Sequence, residues 1–350
     1  GFGSLIADDM GLGKTLQVIA ALLKLKEEGS LGPQKALVVL PTTLLTNWEK
    51  EIQRFAPALK TAVFHGPNRK LQDTVAADVV LTTYGIARSE IAKLKKQPWL
   101  CLILDESQNI KNPAAAQAKA VKQLPAPVRI AMSGTPVENR LSEYWSVFDF
   151  TNKGYLGSLK QFKEQYAKPI EIDRNQQRLE RFRKITAPFI LRRLKTDKSI
   201  IKDLPEKIEQ NQYCQLTPGQ AALYQSVLDN TLDTIEQADG IKRRGLILKL
   251  ITALKQVCNH PRQFLKKGKS DPSLSGKSQQ LLQLLTPILD NGDKAILFTQ
   301  YRAMGDLMAE MVQNALGVEV PFLNGGCSRK QRDAMVGDFQ SNRAAHLMIL

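Results

Sequence analysis

From Leu5 to Thr135, short apolar runs alternate with stretches whose apolar positions recur at helical spacing. The runs are Leu5–Ala7, Ala36–Leu40, Ala62–Phe64, Val79–Leu81, Leu100–Leu104 and Val128–Met132. None alternates apolar with polar residues, as a strand with one wet face would, so each predicts a strand buried on both faces. Helical patterns over 15–28 and 44–55 fall between strands, which makes the sheet parallel with right-handed crossovers: an α/β domain. After about Phe150 the strand signal vanishes, and 160–190 and 218–257 predict helices rich in Lys, Arg, Gln and Leu. Residues 266–277 are polar and rich in Gly, Pro and Ser, and predict a loop or linker. A second α/β pattern follows: helix 278–289, strand 295–298, helix 304–316, a short strand near 320–323, helix 329–339 and a strand over 346–350. The predicted organisation is therefore a first α/β lobe over 1–150, basic helical insertions and linker over 151–275, and the start of a second α/β lobe over 276–350.

The 350 residues accommodate about two cores at roughly 150 residues each. No apolar run approaches the ~18 residues that a membrane span needs, which excludes membrane residence. No secretory pattern opens the chain, and Gly1 in place of Met suggests an excised piece. Four cysteines (Cys101, Cys214, Cys258, Cys327) form no C-x-x-C pair and three histidines (His65, His260, His346) are scattered, so zinc-ligand spacing is absent. Free thiols in an intracellular protein are expected. The net charge is +15, of which +4 lies in 1–150, +11 in 151–275 and 0 in 276–350. Such an excess favours a polyanion partner, with a merely solvated surface as the other reading.

Gly11-Leu12-Gly13-Lys14-Thr15 sits between a predicted strand and a predicted helix, the setting of a phosphate-binding loop. Glycines let backbone amides approach phosphates, Lys14 can reach the terminal phosphates and the Thr15 hydroxyl can ligate magnesium. Asp8 stands where the general pattern wants a small residue. Asp105-Glu106 ends a buried run, at the sheet edge where open α/β sheets bind ligands. Asp105 is placed to hold Mg²⁺ and Glu106 to deprotonate an attacking water, the pair that phosphoryl transfer to water requires. Ser133-Gly134-Thr135-Pro136, Thr42-Thr43 and Thr82-Thr83-Tyr84 put hydroxyls at the ends of further strands. These suit contacts to a nucleic-acid backbone, or simply a turn and the capping of following helices. Trp48 and the apolar positions of 218–257 read as core, and His260 as a core or capping residue.

Taken in order, Ala7-Asp8-Asp9-Met10-Gly11-Leu12-Gly13-Lys14-Thr15, Pro41 with Asn47-Trp48, Thr82-Thr83-Tyr84, Asp105-Glu106-Ser107-Gln108 with Lys111-Asn112, and Ser133-Gly134-Thr135-Pro136 with Asn139 resemble the first lobe of the Swi/Snf family of superfamily-two helicase-like ATPases. Arg192-Arg193 with Lys195 and Leu204-Pro205, then Gln256 to Pro261, Ser275-Gly276-Lys277 and Ile296 to Tyr301, extend the resemblance over essentially the whole chain. An Asp at the place of Asp8 is usual in that family. The resemblance implies two RecA-like P-loop lobes with parallel sheets and helical insertions between them, the second lobe incomplete. It further implies ATP and Mg²⁺ as cofactors, bound by Asp9, Met10, Gly11, Leu12, Gly13, Lys14 and Thr15, with Thr15 and Asp105 on the metal. Lys14, Asp105, Glu106 and Gln108 become the catalytic set, with Gln108 replacing a common His, so that altered coupling is expected. Thr42, Thr43, Thr82, Thr83 and Thr299 become nucleic-acid contacts, and Ser133 and Thr135 coupling residues.

The implied activity is DNA-stimulated ATP hydrolysis driving a monomer along double-stranded DNA, with DNA-bound proteins as cargo, in the bacterial cytoplasm (nucleoid) or a nucleus. The alternatives are a strand-separating DNA or RNA helicase and a nucleotide-gated DNA-binding switch. The family's adenine-recognising segment and second-lobe arginines are expected to lie outside the chain, leaving this stretch weakly active or inactive.

Overall fold

A computed structural model describes residues 2–32, 34–135, 140–200 and 207–350. Pro136, Asn139, Leu204 and Pro205, all named above, lie outside the described residues. The chain divides into two compact units, Gly1–Glu206 and Lys207–Leu350.

The first unit is built on a seven-stranded sheet, all of whose pairings are parallel. Its strands are β1 (Ser4–Ile6), β2 (Lys35–Leu40), β3 (Thr61–Phe64), β4 (Val79–Thr83), β5 (Trp99–Leu104), β6 (Val128–Met132) and β7 (Ile190–Leu191), in the order β3-β4-β2-β5-β6-β1-β7. The six apolar runs are β1 to β6. They lack alternation because apolar layers cover both faces: Leu37, Val39, Leu102 and Leu104 point into one core with Phe148, Phe150 and Phe162, while Val38, Leu40, Leu81 and Ile103 point into another with Val18, Ile19, Leu22, Trp48 and Ile52. Each of those large side chains, fully buried, contributes on the order of 2 kcal/mol. Helix α1 (Lys14–Glu27) follows β1 and helix α2 (Leu45–Phe55) follows β2, which brings both helices to the same face of the sheet. Helix α3 (Tyr84–Ser89) starts directly from β4, with the Thr83 hydroxyl accepting the Ile86 amide at 3.4 Å. Cys101, in the middle of β5, is fully buried, and burial pushes its thiol up to about 12.

Residues 160–190 fold as several short helices rather than long ones: Leu159–Phe162, a π turn over Lys163–Ala167, Lys168–Glu171 with Pro169, and Gln176–Thr186 capped by Asn175. The strands of the first sheet do not end at Phe150, because β7 adds a last edge beside β1.

The second unit carries helices Pro218–Glu236, Gly240–Asn259, Gly276–Asp290, Arg302–Leu316 and Arg329–Ser341 and a parallel pair, β8 (Ala295–Leu297) with β9 (Leu347–Ile349). Reciprocal capping boxes at Thr217/Gln220 and Ser328/Gln331 fix two of the helix starts. The strand expected near 320–323 is reduced to one bridge, Phe322 to Ile349. His260 is a buried cap: its Nδ1 accepts the Arg262 amide at 3.1 Å and its Nε2 faces the Asp271 carbonyl at 3.0 Å, while desolvation lowers its pKa. Among the described residues all four cysteines are free, no helix is long and apolar enough to cross a membrane, and no group of three or more His, Cys, Asp or Glu could hold a metal ion.

Candidate active site

The loop between β1 and α1 turns on two glycines in the left-handed region, Gly11 at φ +83° and Gly13 at φ +72°. Only glycine holds such angles without strain, and here they aim the backbone outward at the start of α1. Gly13 is the N-cap residue and no side chain caps the helix, so its first amides remain available to an anion. Gly134 approaches the same loop so closely that a Cβ on it would come within 3.0 Å of Met10 Cγ. The Lys14 ammonium is folded onto its own loop, donating to the carbonyls of Asp8 at 2.8 Å and Asp9 at 3.2 Å. Met10, Gly11, Gly13, Lys14, Thr15, Asp105 and Glu106 line one cleft of about 390 Å³, with Asn47, Glu51 and Phe55 of α2 along its wall.

Asp105 and Glu106 follow β5 directly. Asp105 is buried and three donors surround its peptide and carboxylate: Trp48 Nε1–H reaches Oδ2 at 2.8 Å, the Glu106 amide reaches Oδ1 at 2.9 Å and the Tyr84 hydroxyl reaches the Asp105 carbonyl at 2.7 Å. Burial raises its pKa above the usual carboxylate value; the Trp48 bond opposes that shift and the neighbouring Glu106 charge reinforces it. Glu106 sits at φ +49°, a conformation costly for a residue with a Cβ, held by the Tyr84 hydroxyl and the Asn109 side-chain amide on its carbonyl. The Gln108 side-chain N–H donates to Glu106 Oε2 at 2.6 Å while its Oε1 accepts the Ser133 hydroxyl at 3.0 Å, and Ser133 Oγ accepts the Thr135 amide at 3.1 Å. Ser133 and Thr135 are thus joined to Glu106 through Gln108.

Of the hydroxyls expected at the sheet edge, Thr42 and Thr43 are exposed in a short turn after β2. Thr82 is fully buried and donates to the Phe64 carbonyl at 2.9 Å, which turns its hydroxyl into the sheet and away from any phosphate. Thr83 is buried, and its hydroxyl faces His65 Nδ1 at 3.4 Å. Thr299 belongs to the second unit, where its hydroxyl accepts the Tyr301 amide at 3.3 Å and it lines a cavity of about 550 Å³ with Lys255, Lys277, Phe298 and Gln300.

Three participants escaped the sequence reading. Trp48 is core, as expected, but its indole N–H ends on Asp105; a buried indole needs an acceptor, and that need was the available signal. Tyr84 follows Thr83 and does the same with its hydroxyl. Asp8 is fully buried and ion-paired with Arg193, a partner 185 residues away that no local pattern discloses.

A loop with outward amides at a helix start, a lysine and a hydroxyl on it, and a carboxylate pair across the same cleft fit a nucleoside triphosphate with Mg²⁺. That combination on a parallel sheet defines a P-loop nucleotide-binding protein. The model of the SNF2-related domain matches residues 1–263, and the chain belongs to that family. It is 42% identical over 359 residues to the putative ATP-dependent helicase/translocase YwqA of Bacillus subtilis, covering 100% of this chain and 38% of that protein. With the TATA-binding protein-associated factor MOT1 of Saccharomyces cerevisiae it shares 36% identity over 289 residues, 73% of this chain and 15% of that one. Among solved structures, the Sulfolobus solfataricus SWI2/SNF2 ATPase core in complex with dsDNA is similar at a TM-score of 0.57 and 44% identity, covering 100% of this chain and 74% of that chain. The chain spans little more than a third of the curated relative that it matches over its full length.

Proposed function

We propose that the protein hydrolyses ATP with Mg²⁺ and couples hydrolysis to movement along double-stranded DNA. The observation that carries this reading is that Asp105, facing the Lys14–Thr15 loop in one cleft, is bonded through Trp48 and Tyr84 to the segments holding the backbone-contact candidates Thr42, Thr43 and Thr83. Each of those segments is thus one hydrogen bond from Asp105, from its carboxylate through Trp48 and from its carbonyl through Tyr84. Duplex DNA as the track is supported by the solved relative in complex with dsDNA and by the +11 carried by residues 151–275. The likeness to a TATA-binding protein-associated factor supports DNA-bound proteins as cargo.

ATP with Mg²⁺, when bound, supplies the phosphoryl group and the divalent charge that neutralises its oxygens. Lys14 exchanges the two loop carbonyls for phosphate oxygens, and the amides at the start of α1 take the remaining negative charge. Thr15 and Asp105 are the residues that would hold the metal. Glu106 orients the attacking water and takes its proton; Gln108 immobilises one of its carboxylate oxygens, which leaves the other for the water.

The test is ATP turnover by the full-length protein in parallel with no nucleic acid, duplex DNA, single-stranded DNA and RNA. Duplex DNA should stimulate most. Greater stimulation by single strands or RNA would favour strand separation, and nucleotide-dependent DNA binding without turnover would favour a switch.

A further inference from the structure

The residues after β7 follow the phosphate loop step by step. Backbone pairing continues past the strands: the Ala7 amide donates to the Leu191 carbonyl at 2.7 Å and the Asp9 amide to the Arg193 carbonyl at 3.0 Å. Two loop carboxylates then fasten this strap. Asp8 accepts the Arg193 backbone amide at 2.8 Å, its Nε–H at 3.1 Å and its Nη2–H at 2.5 Å, while Asp9 Oδ2 accepts the Lys195 amide at 3.0 Å. The strap is thereby held in register from Ile190 to Lys195.

This register delivers the Lys195 side chain onto the loop. Its ammonium nitrogen lies 3.1 Å, and its Cε 3.3 Å, from the place a Cβ on Gly11 would occupy. The Arg193 guanidinium is committed to Asp8, whereas the Lys195 ammonium has no acceptor among the described residues. The charges explain why a second cation belongs there. Asp8 and Asp9 put two carboxylates into a loop that must attract phosphate, and Lys14 alone cannot offset them. Arg193 neutralises the buried one, and Lys195 restores a positive charge at the surface of the loop.

We propose that Lys195 is a second phosphate-contacting cation of the nucleotide site, set in place by the Asp8–Arg193 clasp. The inference rests on the loop being the nucleotide phosphate site. It assigns to the end of the first unit, 180 residues downstream of the loop, a share in recognising the di- and triphosphate part of the ligand rather than its base.

The experiment measures ATP, ADP and AMP affinity by competition against a fluorescent nucleotide, for the parent chain and for Lys195→Ala, Lys195→Arg and Lys14→Ala. Lys195→Ala should weaken ATP and ADP by about tenfold, the usual worth of one charge-assisted contact to phosphate, and leave AMP unchanged. Lys195→Arg should recover most of the loss, and the melting temperature should stay at the parent value, since the side chain is exposed and packs on nothing it supports. A Lys195→Ala protein that binds ATP like the parent while Lys14→Ala has lost it would overturn the role of Lys195 and leave the nucleotide reading standing. Parental ATP binding in both variants would overturn the two together. Equal weakening toward ATP, ADP and AMP with a lowered melting temperature would also overturn it, by showing that Lys195 only supports the fold.

Discussion

Trp48 is the residue on which the chemistry and the core meet. Its ring fills the layer between α2 and the sheet, and its N–H is the donor that offsets part of the burial cost of the Asp105 carboxylate. Trp48→Phe keeps an aromatic ring but leaves Asp105 Oδ2 short of a partner and opens a small void, at a cost of about 2–4 kcal/mol in a urea titration. A loss confined to packing would leave the Mg²⁺ requirement of ATP turnover unchanged. If the indole holds Asp105 ready for the metal, the apparent Mg²⁺ affinity should fall ~10-fold or more, as for other residues that orient a metal ligand. Asp8 supplies a pH signature. Burial pushes its carboxyl up, but the Arg193 and Gln17 hydrogen bonds outweigh burial and hold it below its ordinary 3.8. A depressed carboxyl stabilises the fold wherever it is ionised, so the contribution is complete above that ordinary value and fades as the pH falls through the lower, folded value. Asp8→Asn should therefore be less stable than the parent at neutral pH, with urea midpoints that converge as the pH drops below 3.8. A gap independent of pH would remove the charge of Asp8 from the explanation.

Among elements, the strand ends divide into those that offer hydroxyls outward and those that use them inward. The turn after β2 exposes Thr42 and Thr43, whereas β4 buries Thr82 against Phe64. Replacing Thr42 and Thr43 together by Ala should weaken duplex binding several-fold in fluorescence anisotropy. Thr82→Val should leave DNA affinity intact and cost about 1–2 kcal/mol of stability, because the Phe64 carbonyl loses its side-chain donor. DNA affinity lost in Thr82→Val would return the backbone contact to β4. The same comparison shows which elements were legible in the chain. Strands β1 to β6 could be read because burial on both faces writes an unbroken apolar run. That pattern is also what hid the fate of Thr82, since a strand apolar on both sides carries no alternation to tell which way a hydroxyl points. Strand β7 was illegible for the opposite reason: two residues on an edge, Ile190 half-buried and Leu191 exposed, make no run at all. The loop and the carboxylate pair were visible as local motifs. The bonds that join them to Trp48, Tyr84 and Arg193 close over 21 to 185 residues, and no window along the chain contains them.

For the molecule as a whole, the net +15 is a statement about partners and salt. If the track is the phosphate backbone, log affinity for duplex DNA should fall linearly with log salt, by about 0.9 per phosphate neutralised, with little dependence on sequence. A strong sequence preference at moderate salt would count against a translocase, which must bind wherever it steps. The first unit also contains its own timer. Cys101 stands mid-strand in β5, paired with Ala36 on one side and Val128 on the other, and its thiol titrates only near 12. A thiol reagent needs both access and thiolate, so Cys101 stays silent until the central strands part, while Cys214, Cys258 and Cys327, all partly accessible, react without waiting. The slowest of the four labelling steps therefore reports the opening of the sheet that carries the carboxylate pair. A nucleotide bound to the closed sheet should retard that step by the factor 1 + [L]/Kd, so that mass counted against time reads out ligand affinity without any turnover.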